Sequence, residues 1–493
     1  MSTDRLYGNW LPAAQRFTLR GIGWKGVSLA VGAYFAAVLL AQYSLRVGVA
    51  LVLTASVGIL LAGVRIGGTS VAGHGVAVLQ WRTAQRGGAI RHTAVTPHGW
   101  ALPGPLAQTR MVDVHAGGGP YGAVHHPSSR RLAVTLRLAS TAADLNDDAE
   151  TDAAVSRWER FLEGLGRHPE VAAAVAVVET APASGAELEA SVLGSVCAEA
   201  PPDCAALMAT VVAASPAVAA RTETRLTLVF DLAAWGPQIP RSQRGKGIEA
   251  YLPLLDRSVT GLESALDGCG VTVLGRATAA QLAAAVRVAF DPAAAGRMEL
   301  AATERPDDVP AWHLAGPATA VEYAEAYAHD SGLSASFVWT AAPRQFVPST
   351  VLDALTRPGS FRKRVVSTYV PTLAQHAMTA ASARQRGQRL TAAFSRMPVI
   401  GRARTAQDEQ DSRAADQAAA EVALGAGWVA QTVSVTVTVL DEVDLPAAIA
   451  EVEQTAGRSQ LRLRRMARNH AAGFLAGLPA GLDLHELTRR WAR

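Results

Sequence analysis

The sequence predicts an α/β protein of split βαβ units preceded by a two-helix transmembrane hairpin. Three observations predict it. Two uncharged apolar runs stand back to back near the N-terminus, at residues 26–44 and 47–64. Beyond Pro97, short alternating segments of strand length take turns with longer segments of helical period. A second, similar cycle of elements follows a stretch rich in Pro and Asp at 291–310. The composition agrees. Of the 493 residues, 49% are apolar and 18% charged, below the ~25% charge of an ordinary globular chain, and the mean hydropathy is +0.14. Disorder, collagen-like repeats and a small disulfide scaffold are excluded, and 3 cysteines make no disulfide framework. The net charge of +4, from 46 Lys+Arg against 42 Asp+Glu, is too mild to call for nucleic acid, which is not expected as a partner.

At ~1.5 Å per residue each uncharged run would span about 27–28 Å as a helix, close to a hydrocarbon core of ~30 Å. Leu45 and Arg46 alone connect them, which leaves a tight helical hairpin. A signal peptide would carry a short apolar core and then a cleavage site, whereas here a second run follows at once. Gly32, Ala36, Ala37 and Ala41 place small residues at helical spacing, which suits close helix packing. Arg5, Arg16, Arg20 and Lys25 precede the hairpin, Arg65, Arg82, Arg86 and Arg91 follow it, and Arg46 sits in the connection. The positive-inside rule then puts both ends, and the bulk of the chain, in the cytoplasm of a protein that crosses the cell (inner) membrane twice. Arg16, Arg20, Lys25, Arg65, Arg82 and Arg86 are the expected membrane-flanking cations. Residues 1–25 form a cytoplasmic lead, 26–64 the hairpin, and 65–98 an interfacial tail whose Trp81 suits the headgroup level. His74 reads as a surface group there.

The soluble part follows in order. Residues 131–140 (RLAVTLRLAS) alternate with period two and predict a strand. Residues 147–167 carry Trp158, Phe161 and Leu162 on one face and acidic residues in the first turns, and predict a helix. A strand is expected over 171–180, two short helices broken at Pro201-Pro202 within 185–220, a strand over 223–232, a helix over 247–266 and a strand over 270–275. The order β-α-β-(insert)-β-α-β is that of a ferredoxin-like split βαβ unit, with one more helix over 278–288. This first unit takes 99–290, and 291–310 reads as a linker. The second unit, 311–493, has strands expected over 335–340, 362–371 and 431–440. Its helices are expected over 349–355 and 445–457, a helical hairpin insert fills 372–426, and 459–466 is a last strand or helix start.

Chemistry is sparse. The strand ending in Asp441-Glu442 (TVTVLDEVD) has the look of a magnesium-holding site, but no G-x-x-x-x-G-K-[ST] loop accompanies it. A strand running into a helix capped by Asp441 or Asp444 is the favoured reading. The run GGGPYG at 117–122 would cradle a phosphate only if a helix opened after it; a strand follows, so a hairpin loop is expected. His125 and His126 are adjacent and point apart on a strand. Cys197 and Cys204 lack two further ligands, and Cys269 stands alone, so no zinc is expected. No G-x-S-x-G elbow or H-E-x-x-H occurs. No catalytic residue, cofactor or metal is expected, and the chain is not read as an enzyme; a membrane-bound enzyme with an unrecognised site is the alternative. One surface is unusual. Residues 383–404 hold Arg384, Arg386 and Arg389, with more Arg to Arg404, and Asp408, Glu409 and Asp411 follow. A solvated hairpin laced with ion pairs, or a docking arm for an acidic partner or the lipid surface, would explain both arms. The basic stretch 458–468 invites the same two readings.

The order of parts resembles a known assembly. The tail VRIGGTSVAGHGVAVLQWRTAQR at 64–86, with Ile66, Gly68 and Ser70, is similar to the PrgI family of type IV secretion and conjugation systems. The following part resembles the N-terminal, non-motor region of the conjugation ATPase of those systems, through RLAVTLRLAS, WERFLEGLGRHPEVAAAVAVVET, ETRLTLVFDL and RMARNHAAGFLAGLPAGLDL. In that family a helix ending in F-x-x-x-L-P-x-G lies just before the motor, and Phe474, Leu478, Pro479 and Gly481 nearly keep that spacing. The resemblance implies a structural component of a secretion machine, a hetero-oligomer with other membrane subunits, that recruits a separate ATPase. Residues 465–493 would then dock it through Phe474 and Leu478, unless those residues fill the protein's own core. A rival resemblance is to EccE of the type VII (ESX) secretion membrane complex, also built from two spans and a cytosolic α/β domain.

Overall fold

In a computed structural model of the chain, the described residues are 99–140, 147–182, 199–214, 220–243, 245–341, 347–373 and 427–490. Short pieces between 18 and 96, between 189 and 197, and between 376 and 423 are described as well. The chain divides into two compact units. One holds residues 1–10, 89–371 and 431–491, and the other holds 11–88, 372–430 and 492–493. In the second unit, Thr18–Leu19 pairs with Ile22–Gly23, Arg65–Ile66 pairs with Thr69–Ser70, and Ala419 and Val422 pack on Trp428.

The first unit is organised by one sheet of 13 strands. Its first half runs β1 (Arg91–Thr93), β2 (Arg110–Ala116), β3 (Gly119–His126), β4 (Arg131–Ser140), α1 (Asp148–Leu165), β5 (Val171–Pro182), α2 (Pro202–Ala214), β6 (Ala220–Asp231), α3 (Leu252–Ala265), β7 (Val271–Arg276) and α4 (Ala279–Phe290). Helix α5 (Ala295–Glu304) leads to the second half: β8 (Thr319–Glu322), β9 (Tyr327–His329), β10 (Gly332–Ala341), α6 (Asp353–Thr356), β11 (Arg362–Thr372), β12 (Trp428–Val439), α7 (Leu445–Arg458), β13 (Arg462–Arg465), α8 (His470–Ala476) and α9 (Leu484–Arg490). The sheet order is β1-β8-β9-β10-β12-β11-β5-β6-β4-β3-β2, with β7 also on β4 and β13 also on β10.

This corrects the expected fold class. Every described pairing is antiparallel, and the sheet is single, so the protein is α+β and not an α/β protein of separate split βαβ units. Alternating strand and helix segments look the same along the sequence in either case; edge-to-edge pairing of β5 with β11 leaves no periodic mark. Apart from Gly32, the expected transmembrane hairpin at 26–64 lies outside the described residues, and no described helix is long and apolar enough to cross a membrane. Most of the insert 372–426 also lies outside them. Residues 291–310, expected as a linker, carry α5, with Met298 and Ala301 buried.

The connectivity repeats. In each half a hairpin leads into a strand, a helix, two antiparallel strands, a helix, a strand and a final helix. The strand order is β7-β4-β6-β5 in one half and β13-β10-β12-β11 in the other. Local chemistry explains the elements. Asp147 caps α1 by accepting from the Glu150 N–H, and Thr278 with Gln281 closes a capping box on α4. In β12, Val433, Val435, Val437 and Val439 point to one face and meet Ala448 and Val452 of α7. Ser434, Thr436 and Thr438 take the other face and are buried as well. There α8 lies so close that a Cβ on Gly473 would sit 2.5 Å from Ser336 Cβ, which leaves room only for small side chains.

The two final helices, α4 and α8, share one core. Phe290 and Phe474 have ring centroids 5.1 Å apart, and Leu282, Val286, Leu475 and Leu478 belong to the same cluster. The chain after α8 returns to the sheet at Gly481 (φ +64), where a Cβ would meet Val229 at 2.6 Å. His126 Nε2 donates to the Ala480 carbonyl at 2.6 Å, and Arg131 pairs with Glu486 at 2.9 Å. The C-terminal segment is therefore part of the protein's own interior. Phe474→Ala should cost about 3–5 kcal/mol, read as a lower midpoint in chemical denaturation of the full chain; a loss under about 1 kcal/mol would contradict this packing.

Candidate functional site: a buried arginine seam and its cavity

The two halves of the sheet meet where β5 pairs with β11, with Val177 opposite Val366 and Glu179 opposite Arg364. Glu179 is only 9% exposed. Its Oε2 accepts from Arg225 Nη2 at 2.9 Å, its Oε1 accepts from Arg362 Nη1 at 2.8 Å, and Arg364 Nε stands 3.8 Å from Oε1. One carboxylate thus serves three guanidinium groups from β6 and β11. Burial alone would push the Glu179 carboxyl up; Arg225, Arg364 and Arg362 outweigh it and hold it down at about 2. Arg364 is 1% exposed, lies 4.6 Å over the Phe474 ring, and makes no hydrogen bond from any guanidinium nitrogen among the described residues. Burial pulls it down to about 10, so it stays charged at neutral pH. Arg225 also donates to the Gly477 carbonyl at 3.3 Å, while its buried Nε has no hydrogen-bond partner among the described residues.

A cavity of about 230 Å³ opens beside this seam, between the β4–β6 face of the sheet and helices α4 and α5. Arg137, Arg225, Glu223, Glu179 and Arg362 line its polar side, and Leu282 and Val288 of α4 line its apolar side. Arg137 stands opposite Arg225 in the β4–β6 register, an arrangement of like charges that costs stability unless something lies between them. Arg221 and Glu299, paired at 2.7 Å, also line the cavity and link β6 to α5.

A second buried polar cluster lies under α8. Glu322 accepts from the N–H groups of His470 and Ala471, both at 2.7 Å. His470 Nδ1 accepts from the Ser336 N–H at 3.0 Å. His329 Nδ1 donates to the Phe290 carbonyl at 2.7 Å, and its Nε2 accepts from the Ser334 hydroxyl at 2.8 Å. Ser334 in turn pairs with Thr438, and Ser336 with Thr436. These contacts join the backbone of α8 to β8 and β10.

Several expected positions can now be placed. Phe474 and Leu478 are 0% and 1% exposed, so they fill the core, not a docking surface. Arg82 and Arg86 are exposed on helical residues, and Arg65 lies in the Arg65–Ile66 strand. Arg16, Arg20, Lys25, Arg384, Arg386 and Arg389 lie outside the described residues. Gly117 and Gly118 turn the β2–β3 hairpin. Asp441 caps the turn Glu442–Asp444 by accepting from Val443 N–H at 3.0 Å. Cys197 and Cys204 are exposed and Cys269 is buried. Sequence reasoning missed Arg137, Glu179, Arg225, Arg362, Arg364, Glu322, His329 and His470. The available signal was charge inside strands at positions whose parity points inward.

Fold and seam together define an α+β protein built on a doubled antiparallel sheet with a charged interior. No protein-family model matches the chain, and no curated protein matches it.

The buried histidines fix a pH dependence. Burial lowers His329 to about 3 and, together with Arg465, His470 to about 4, against an ordinary 6.5. Below about 6.5 the unfolded chain binds two protons that the native state refuses, so these groups lower stability as pH drops. Burial raises Glu322 to about 7 from 4.5, against the two backbone N–H groups that favour its charge. Between those values the native state keeps a proton that the unfolded chain loses, so this group lowers stability as pH rises. Two histidines against one carboxyl leave stability rising by about 1.4 kcal/mol per pH unit between pH ~4.5 and ~6.5. His470→Gln should flatten that limb, measured by denaturant unfolding across the window; an unchanged slope would refute the assignment.

Proposed function

We propose that the chain is a non-catalytic structural component of a membrane-associated secretion-type machine, holding a separate ATPase subunit. The observation that carries this reading is helix α2, Pro202–Ala214, inserted between β5 and β6. Apart from Asp203 it is uncharged, and it is mostly apolar. Leu207, Met208 and Val211 are 67%, 46% and 57% exposed, and Val212 is its buried residue. A helix that is apolar all round belongs under cover, and apolar side chains clustered on a surface mark contact with a partner. At about 20 Å in length it falls short of a ~30 Å hydrocarbon core, so a protein partner suits it better than a membrane crossing. The docking surface is accordingly assigned to α2 and no longer to Phe474. Attachment to the membrane rests on the two uncharged runs at 26–44 and 47–64 and their flanking cations, and the resemblance to secretion components supplies the class of partner.

A photo-crosslinking residue at Leu207 or Val211 of the full chain, in its own membranes, should give an adduct containing an ATPase subunit, and one at exposed Glu159 of α1 should not. Leu207→Asp should weaken copurification of that ATPase about 30-fold, the effect of losing an anchor of ~2 kcal/mol, with an unchanged unfolding curve. Adducts confined to this chain or to lipid, or unchanged copurification, would sink the reading.

A further inference from the structure

We propose that the cavity beside the seam is a binding site for a small phosphate-bearing anion, seated among Arg137, Arg225 and Arg362. The charge count points there first. Arg137, Arg225 and Arg362 line the cavity with Glu179 and Glu223, an excess of one positive charge, and the buried Arg364 beside Glu179 adds a second behind the wall. Arg221 and Glu299 neutralise each other. Such an excess in a protein interior is costly unless an anion shares the space. Geometry points the same way. The three cations come from three different strands, β4, β6 and β11, and converge on one volume. Arg225 is 4% exposed and its Nε has no partner among the described residues. Arg137 opposes Arg225 in register, and none of its described contacts is a carboxylate.

Guanidinium forks converging from several directions match a tetrahedral group with several acceptor oxygens. A planar carboxylate with two oxygens is already present in Glu179, and both its oxygens are taken. The volume of about 230 Å³ is several times the ~30 Å³ share of one water. Leu282 and Val288 make one wall apolar, so a phosphate ester with a small uncharged body suits the site better than a bare ion.

The test is a titration of the full chain in neutral detergent with inorganic phosphate and with glycerol phosphate, each against chloride at matched ionic strength. Calorimetry and the thermal midpoint are both read. Saturable binding with a raised midpoint is expected, tighter for the ester. Arg137→Gln should weaken it about tenfold or more, and Arg167→Gln, at an exposed position on the Arg167 turn after α1, should leave it unchanged. If Arg137→Gln shows no cooperative unfolding, Arg137→Lys, which keeps the charge but loses the fork, carries the test and should bind several-fold more weakly. Phosphate no better than chloride, or Arg137 variants that bind like the parent chain, means an adventitious ion only and overturns the proposal.

Discussion

The pairing of β5 with β11 is the constraint on which the rest of the sheet depends. Each half would otherwise present a long strand edge, with a row of unpaired N–H and C=O groups open to other chains. Joined, the two edges bury Val175, Val177 and Val366 as a small apolar cluster and bring Glu179 opposite Arg364. The apolar row would tolerate a shift of two residues, because Val follows Val at that spacing on β5. The charged row would not. Such a shift moves Glu179 off its place opposite Arg364, and a buried guanidinium without its facing carboxylate is strongly destabilising. A shift of one residue would turn every side chain to the wrong face. The ion cluster therefore selects one register, whatever its net contribution to stability.

From that register the placement of the last helices follows. Each half ends its strand–helix sequence with a helix on the same face of the sheet, and the seam sets these two helices side by side. Phe290 of α4 and Phe474 of α8 then meet, with Tyr327 and His329 against them. Arg364 lies over the same Phe474 ring, so the charge of the seam and the packing of the C-terminal segment are one structural unit. The ring face offers a buried cation part of the solvation that it lost on leaving water.

Much of the local structure was legible in the sequence and little of its assembly. Strict alternation in RLAVTLRLAS and QTVSVTVTVL marked strands that the structure contains as Arg131–Ser140 and Trp428–Val439. Pairing partners, by contrast, are set by edges far apart in the chain, and nothing periodic records them. The polar half of each alternating strand was also misleading. Ser334, Ser336, Thr436 and Thr438 look like a solvent face, yet they are buried because α8 approaches so closely that only small side chains fit. Arg137 and Arg225 stand at polar positions of the same kind and line the buried seam instead. Phe474 shows the limit from the other side. An apolar patch near a chain end has the same composition whether it meets a partner or its own core, and only the closure of the sheet decides between them.

The charged interior and the exposed apolar helix invert the usual distribution, and each inversion needs its own physical account. Inside, arginines outnumber carboxylates around a cavity with polar and apolar walls, so the native state carries an electrostatic cost that another anion would relieve. Outside, α2 leaves Leu207 and Val211 in water, a hydrophobic cost that a covering surface would relieve. Helix α2 lies away from the valine rows and the Phe290–Phe474 contact, whereas the arginines adjoin both, since Glu179 shares a ladder with Val177 and Arg364 lies on the Phe474 ring. The two features are neighbours in the chain, α2 preceding β6 and the cavity arginines Arg221 and Arg225 lying along it. Strand β6 is thus the element through which an occupant of the cavity and a partner on α2 would act on the same stretch of backbone.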